Sequence, residues 1–219
     1  MKINFFIIIS LLSLVFLLGA CNNTNRSESI NNRDEIKIGV QTWAIANLNV
    51  THFRNGDTIP EAKTAKEWEK AGDGAIPAWC YYNNEAANGE KYGKLYNWFT
   101  VNDKRGLAPN GWHIPDDDEW TKLIEYSGGR DSAGIKMKSS GGWNDNGNGT
   151  NTTDFSGFPG GYRYNNGAFN GIGKFGSWWS TTAFETGGAW YRYLTSNNGV
   201  ITRKFDDIRD GFSVRCLKD

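Results

Sequence analysis

Between Ser139 and Asn170 the chain runs through Gly, Asn, Ser and Thr with hardly an aliphatic side chain, and its isolated anchors are Trp143, Phe155, Phe158 and Tyr162. A loop of that length inside a compact domain is either functional or disordered, and the spaced rings argue for order. The remainder of the chain fits this reading. Gly (27 residues) and Trp (10 residues) are abundant, whereas Leu and Ile are sparse beyond the first twenty residues. Such a mixture suits an aromatic core with long irregular loops and excludes a helical bundle.

Regular elements are legible on either side. In the stretch Arg105 to Trp120, Pro109 and Asn110-Gly111 make a turn, and Pro115 ends the extended run Trp112-His113-Ile114. Asp116 and Glu119 form a capping box, Trp120, Leu123 and Ile124 share one helical face, and Gly128-Gly129 stops the helix. Thr64 and Glu67 form a second capping box, which opens a short helix ending near Gly72. Ile36, Ile38 and Val40 alternate as in a strand. Trp79 to Tyr82 reads as an aromatic strand followed by a turn from Asn83 to Gly89. Trp178-Trp179-Ser180, Ala189 to Leu194, Val200 to Phe205 and Phe212 to Cys216 read as closing antiparallel strands.

The N-terminus is an address. Lys2 precedes an apolar run, Phe5 to Leu18, that is too short to span a bilayer comfortably and ends in small residues, so 1–20 reads as a signal peptide. Leu18-Gly19-Ala20-Cys21 resembles the lipobox of bacterial lipoproteins, which implies cleavage before Cys21, its lipidation and a membrane anchor. Residues 21–35 read as a flexible tether, and a single domain fills 36–219. Asn22 carries no recognisable inner-membrane retention signal, which favours the outer membrane within the cell envelope. With 24 basic and 24 acidic residues, nothing steers the chain towards nucleic acid. Cys80 and Cys216 remain as a pair in an oxidising compartment. A disulfide would stabilise by about 4–5 kcal/mol on the chain-entropy model; the alternative is two separate buried thiols.

A series of ordered motifs adds a family. Gly39-Val40-Gln41-Thr42-Trp43, Tyr92-Gly93-Lys94-Leu95-Tyr96-Asn97-Trp98, Gly106-Leu107-Ala108-Pro109, Gly111-Trp112-His113, Pro159-Gly160-Gly161-Tyr162-Arg163, Trp178-Trp179-Ser180 and Gly211-Phe212-Ser213-Val214-Arg215-Cys216 resemble the Fibrobacter succinogenes major paralogous domain family over nearly all of 36–219. The resemblance implies a secreted or lipid-anchored bacterial protein and no particular activity. More distantly, the last third is similar to the C-type-lectin-like fold of formylglycine-generating enzymes. That implies an α+β domain with two short helices, small antiparallel sheets and long irregular loops. The paired copper-ligating cysteines of those enzymes have no counterpart here, so fold similarity carries no activity.

Two candidate sites lie in the second half of the chain. Asn144, Asn146, Asn148 and Asp154 place oxygens along a Gly-containing loop in partial imitation of a Ca²⁺ site. Phe155 stands where the last chelating acid is expected, and a plain Asx-turn loop is the competing reading. Trp143, Tyr164, Phe169 and Trp178 offer rings for stacking on a glycan or a surface protein, as do Tyr191 and Tyr193, although strand alternation turns about half of such rings inward. Enzymatic options are thin: His52 and His113 are far apart, and no nucleophile, P-loop or dinucleotide fingerprint is present. The expected protein is an anchored, non-catalytic binding domain without a required cofactor.

Overall fold

The computed structural model describes residues 35–219. The signal peptide, the lipidation site Cys21 and the tether up to residue 34 lie outside the described residues. The first strand alternation gives β1 (Glu35–Ile38) and β2 (Gln41–Ala44), an antiparallel hairpin that turns Ile38 and Trp43 inward. Val40, the third residue of that alternation, sits at the hairpin tip and is 92 % exposed. The hairpin joins the chain terminus and a short central strand in a four-stranded sheet, ordered β1, β2, Leu217–Lys218, Trp112–His113.

Both capping boxes form. Thr64 opens α1 (Ala65–Asp73) with reciprocal bonds to Glu67. Two further helices follow, α2 (Ala86–Tyr92) and α3 (Trp98–Val101); Asp116 and Glu119 then cap α4 (Asp117–Tyr126), and α5 (Arg130–Met137) comes after it. Among the described residues, five α-helices therefore replace the two short helices expected. Part of the turn expected at Asn83 to Gly89 belongs to α2, and the strand at Trp79 is only two residues long, β3 (Trp79–Cys80), paired with β4 (Leu95–Tyr96). None of the described helices is long and apolar enough to cross a membrane.

With Trp112–His113 as β5, the second half builds a five-stranded sheet. Its strands are β6 (Gly160–Arg163), β7 (Phe169–Ile172), β8 (Phe175–Phe184), β9 (Gly188–Thr195) and β10 (Thr202–Asp207), in the order β10-β9-β8-β6-β7; Leu217–Lys218 is β11. The sheet is not wholly antiparallel. β6 and β8 meet in parallel at Gly161 and Gly176, then part to admit the segment Gly211 to Ser213. There Ser213 N–H donates to Ser177 O and Arg163 exchanges two backbone bonds with Gly211. This explains why only fragments of the strand expected at Phe212 to Cys216 are regular: it pairs on two sides with diverging neighbours.

Three aromatic clusters form the core, and the long loop supplies the centre of one. Phe155 stands edge-on to Trp43, Trp120 and Trp178 at 5.7–5.9 Å, each buried ring contributing roughly 1.5–3 kcal/mol. Buried cations tie the irregular backbone to these clusters. The Arg215 guanidinium donates to the carbonyls of Ala44, Ile45 and Phe155 and to Asn47 Oδ1, and lies over the Phe155 ring. Arg163 does the same for Ala62 and Gly167 over Trp68 and Phe169. Backbone carbonyls that no ladder satisfies thus find donors inside the protein. Burial pushes the Arg215 pKa down to about 9, the cost of holding a cation in an apolar setting.

The expected disulfide is absent. Cys80 and Cys216 are separate buried thiols, Cys80 beside Tyr82 and Leu95 and Cys216 beside Trp112 and Val214 in another cluster. Burial raises both thiols to about 12, so they are inert core residues.

Candidate binding face

The β6–β7 hairpin and its neighbours assemble an aromatic face with polar tips. Tyr162 and Tyr164 follow each other at a spacing of two along and just beyond β6, so both rings lie on one side of the hairpin. Their hydroxyls are hydrogen-bonded at 2.9 Å, and the rings meet edge to face at 5.0 Å. Asn170, opposite Tyr162 in the ladder, donates from its amide to both hydroxyls. The hairpin depends on Gly161, whose φ is +67°; a Cβ there would stand 2.5 Å from the Tyr82 ring and 2.7 Å from Asn170 O. Only glycine permits this approach.

The face continues across the sheet. Tyr162 packs edge-on against Phe175, Phe175 against Tyr193, and Tyr193 stacks on Tyr191 at 5.7 Å. Tyr191 and Tyr162 both rest on Phe212, which roots the face in the core. Tyr164 is 38 % exposed, Tyr162 and Tyr193 are half-buried, and Tyr191 is buried and supports Tyr193 from the core. No hydrogen bond within the described residues engages the Tyr191 or Tyr193 hydroxyl. Burial, and next the nearby Asp206 carboxylate, raise the Tyr191 pKa, and burial with the Tyr164 hydrogen bond raises that of Tyr162. Both therefore stay neutral donors at physiological pH.

Carboxylates close one end. Asp206 lies on β10 opposite Ala189, on the same side of the sheet as Tyr191. Asp210, buried just after β10, accepts the Asn165 backbone N–H at 2.6 Å, and Asn165 Nδ2 reaches Asp207 Oδ2. Asn165 directly follows Tyr164, so these acids fasten the turn that carries the exposed ring. Burial, then Asp206 and Asp207, push the Asp210 carboxyl up to about 8. Phenol rings, one primary amide and the Asp206 carboxylate on one face are able to stack on and hydrogen-bond a flat, hydroxyl-rich ligand.

Residues 36–218 match the Fibrobacter succinogenes major domain. The chain belongs to that family. No curated protein and no solved structure matches it. In this Fibrobacter succinogenes major domain, most of the motifs that carry the family resemblance build frame rather than face: the β1–β2 hairpin, the Trp-Trp-Ser run of β8 and the inserted strand at Gly211 to Ser213. Only Pro159-Gly160-Gly161-Tyr162-Arg163 reaches the face.

Sequence-derived site residues fare unequally. Tyr164 is on the face. Phe169, on the other side of the same hairpin, is half-buried against Tyr82 and Arg163. Trp143 and Trp178 are buried. The Trp143 indole donates to Ser139 Oγ and Gly157 O, that of Trp178 to Asn47 Oδ1. Neither presents a ring face to a ligand, which corrects the stacking role expected of them. Tyr193 was legible only as one ring among many; Asn170, Asp206 and Asp210 were missed, because strand pairing rather than local sequence brings them to the tyrosines. The i, i+2 spacing of Tyr162/Tyr164 and Tyr191/Tyr193 was the available signal.

The Asn-rich loop has Asx-turn geometry. Asn148 Oδ1 accepts the Trp143 N–H at 3.0 Å, Gly147 N–H bonds to Asn144 O, and Asp145, Asn146 and Asp154 adopt left-handed φ of 56–58°. Asn148 is therefore committed to the loop itself, and Asn144, Asn146 and Asp154 are exposed. No group of three or more His, Cys, Asp or Glu suited to a metal exists among the described residues. His113 is half-exposed rather than packed in the core, held between Asp219 at 2.8 Å and Glu119 at 3.0 Å. Burial alone would lower its pKa, but those two bonds raise it. An open groove of about 480 Å³ between Ala75, Pro77, Trp98 and Phe99 contains none of the sequence-derived site residues.

Proposed function

We propose that this protein is a lipid-anchored component of a bacterial cell envelope, held at Cys21 in the outer membrane, whose C-type-lectin-like domain binds glycan without catalysis through its tyrosine face. The observation that carries the reading is the juxtaposition of Tyr162, Tyr164 and Asn170 with Asp206 and with Tyr193, whose hydroxyl no described residue engages. A pyranose presents a flat C–H face and a polar rim, and this strip offers rings and hydrogen-bonding groups in the same order. The apolar leader and the Cys21 lipobox support the anchor, and the mixed α/β architecture of small sheets and long ordered loops agrees with the lectin-like reading. The face is open rather than enclosed, which suits an extended polymer more than a small molecule.

A glycan array probed with the mature protein, with and without calcium, tests this. Binding by the wild type is expected in both conditions, with roughly tenfold loss in Tyr164→Ala, the scale of one ring-stacking contact. Its melting temperature should hold within a few degrees. Failure to bind any glycan would overturn the carbohydrate reading and direct attention to surface-protein ligands.

A further inference from the structure

The five-stranded sheet ends in β10, whose outer edge no other described strand covers. Ile208 N–H continues the ladder to Gly187 O, so the even-numbered residues of this strand turn their backbone groups towards β9. The odd-numbered ones face outward. Ile201 N–H, turned that way, is taken by Arg130 O at the start of α5, and Asp207 N–H by Asp206 Oδ1. Between them the backbone groups of Arg203 and Phe205 point to solvent, and Arg203, Lys204 and Phe205 are all exposed. Phe205 is 46 % exposed although it is stacked on Phe184 at 3.9 Å, with Trp190 4.7 Å from Phe184 and Arg203 over Trp190 at 3.3 Å.

The strand is complementary to itself. Laid antiparallel against a copy with the two-fold axis at Phe205, it sets Phe205 opposite Phe205, Lys204 opposite Asp206 and Arg203 opposite Asp207. Opposed residues share a face, as a continuous sheet requires. Because Phe205 is an outward residue, the pair at the axis exchanges both backbone hydrogen bonds. Neither Lys204 nor Asp206 has an ion-pair partner among the described residues, and this register gives each one. The Phe184–Trp190–Phe205 patch would then meet its copy across the axis. A lysine on a sheet edge ordinarily guards against pairing. Here it repels a basic strand and is left unpaired against a neutral one, whereas a second copy of the same strand sets a carboxylate opposite it. We infer that β10 is the interface of a two-fold dimer of this chain, joining two five-stranded sheets edge to edge.

So short a strand pairing makes a weak dimer. Sedimentation equilibrium of the full chain in detergent micelles should show a monomer–dimer equilibrium that Lys204→Asp weakens by roughly tenfold or more, since each of two ion pairs becomes a like-charge contact. The exchanged pair Lys204→Asp with Asp206→Lys should restore it. Phe205→Cys should form a disulfide-linked dimer on mild oxidation, which tests the axis should the charge variants fold poorly. A monomer at every concentration, a dimer indifferent to Lys204→Asp, or failure of the exchanged pair to restore association together with no Phe205→Cys cross-link, each overturns the inference.

Discussion

The loop from Ser139 to Pro159 and the β6–β7 hairpin that follows are built from the same residue types, yet they are ordered in opposite ways. The loop has almost no ladder. It is pinned by rings sunk into the core, Trp143 and Phe155, and by side chains on backbone: Asn148 on Trp143, Thr153 on Lys136 O, Arg215 on Phe155 O. Two of its glycines are close-packed; a Cβ on Gly147 would stand 2.0 Å from Ser196 O and one on Gly149 2.5 Å from Lys138 O. The hairpin has a ladder, from Gly160 opposite Ile172 to Arg163 opposite Phe169. A ladder satisfies the backbone without using the side chains, so the tyrosines on one side remain available. Aromatic anchors spent on ordering a loop cannot also be displayed, and display here belongs to the strand-paired segment.

This contrast is sharpest at Arg215. Replacing it with Ala removes the donor from the buried carbonyls of Ala44 and Phe155, from the part-buried Ile45 carbonyl and from Asn47, and leaves a void beside Phe155. A loss of about 3–5 kcal/mol is expected, measured by urea denaturation with two-state analysis. Tyr164→Ala should cost less than about 1 kcal/mol by the same measurement, because its ring is at the rim. Equal losses at the two positions would show that the hairpin and the loop are ordered alike.

How far the fold could be read beforehand follows the same division. Elements with local chemistry were legible: the capping boxes at Thr64 and Asp116, the alternation of Ile36 and Ile38 in β1, and the strands β8, β9 and β10; the turn at Gly39-Val40 that folds the first extended run into a hairpin was not. Helix α5 was not, because Gly129 precedes it and no side chain caps it. Helix α2 hides a glycine, Gly89, that lies where a Cβ would strike the Tyr81 ring, a reason visible only in three dimensions. Arg163 and Arg215 look like solvated strand residues in a sequence and are instead buried staples. For the face, Tyr164 was legible as a candidate binding ring but Tyr162 only as an anchor of the long loop, and local sequence cannot tell an inward Trp178 from an outward tyrosine. Asp206 reaches the face only through the pairing of β10 with β9, and the carboxylates at Asp207 and Asp210 join the hairpin only through a long-range turn contact at Asn165.

That contact makes the hairpin's fastening pH-dependent in a way the loop's is not. The Asp210 carboxyl titrates near its ordinary value of 3.8 in the unfolded chain and at about 8 when folded. Between those values the folded chain holds one more proton, so stability falls as pH rises from about 4 to about 8 and stays low above. Asp206 and Asp207 face the group, and Asn165 N–H is its donor. Asp210→Asn keeps the acceptor and removes the titration. The variant should be more stable than the wild type at pH 9 by on the order of 2 kcal/mol, with the advantage gone near pH 4. Thermal melts of both proteins across that range give the comparison, and parallel curves would remove the link between these acids and the hairpin.

The smallest effect tests what the Asn-rich loop is for. Asn148 Oδ1 closes an Asx turn on Trp143, so Asn148→Ala should cost about 1 kcal/mol, the net worth of one hydrogen bond to a half-buried donor. A calcium ligand would behave differently. Ligand binding to the folded state stabilises by RT ln(1 + [L]/Kd), so millimolar calcium would raise the wild-type melting temperature and Asn148→Ala would abolish the rise. With the oxygen already engaged by the Trp143 N–H, calcium is expected to shift neither protein and the cost of the variant to be the same with and without it. A calcium-dependent difference between the two melts would turn the loop from a self-closed anchor into a site, and the distinction drawn between loop and hairpin would then fail at its weakest point.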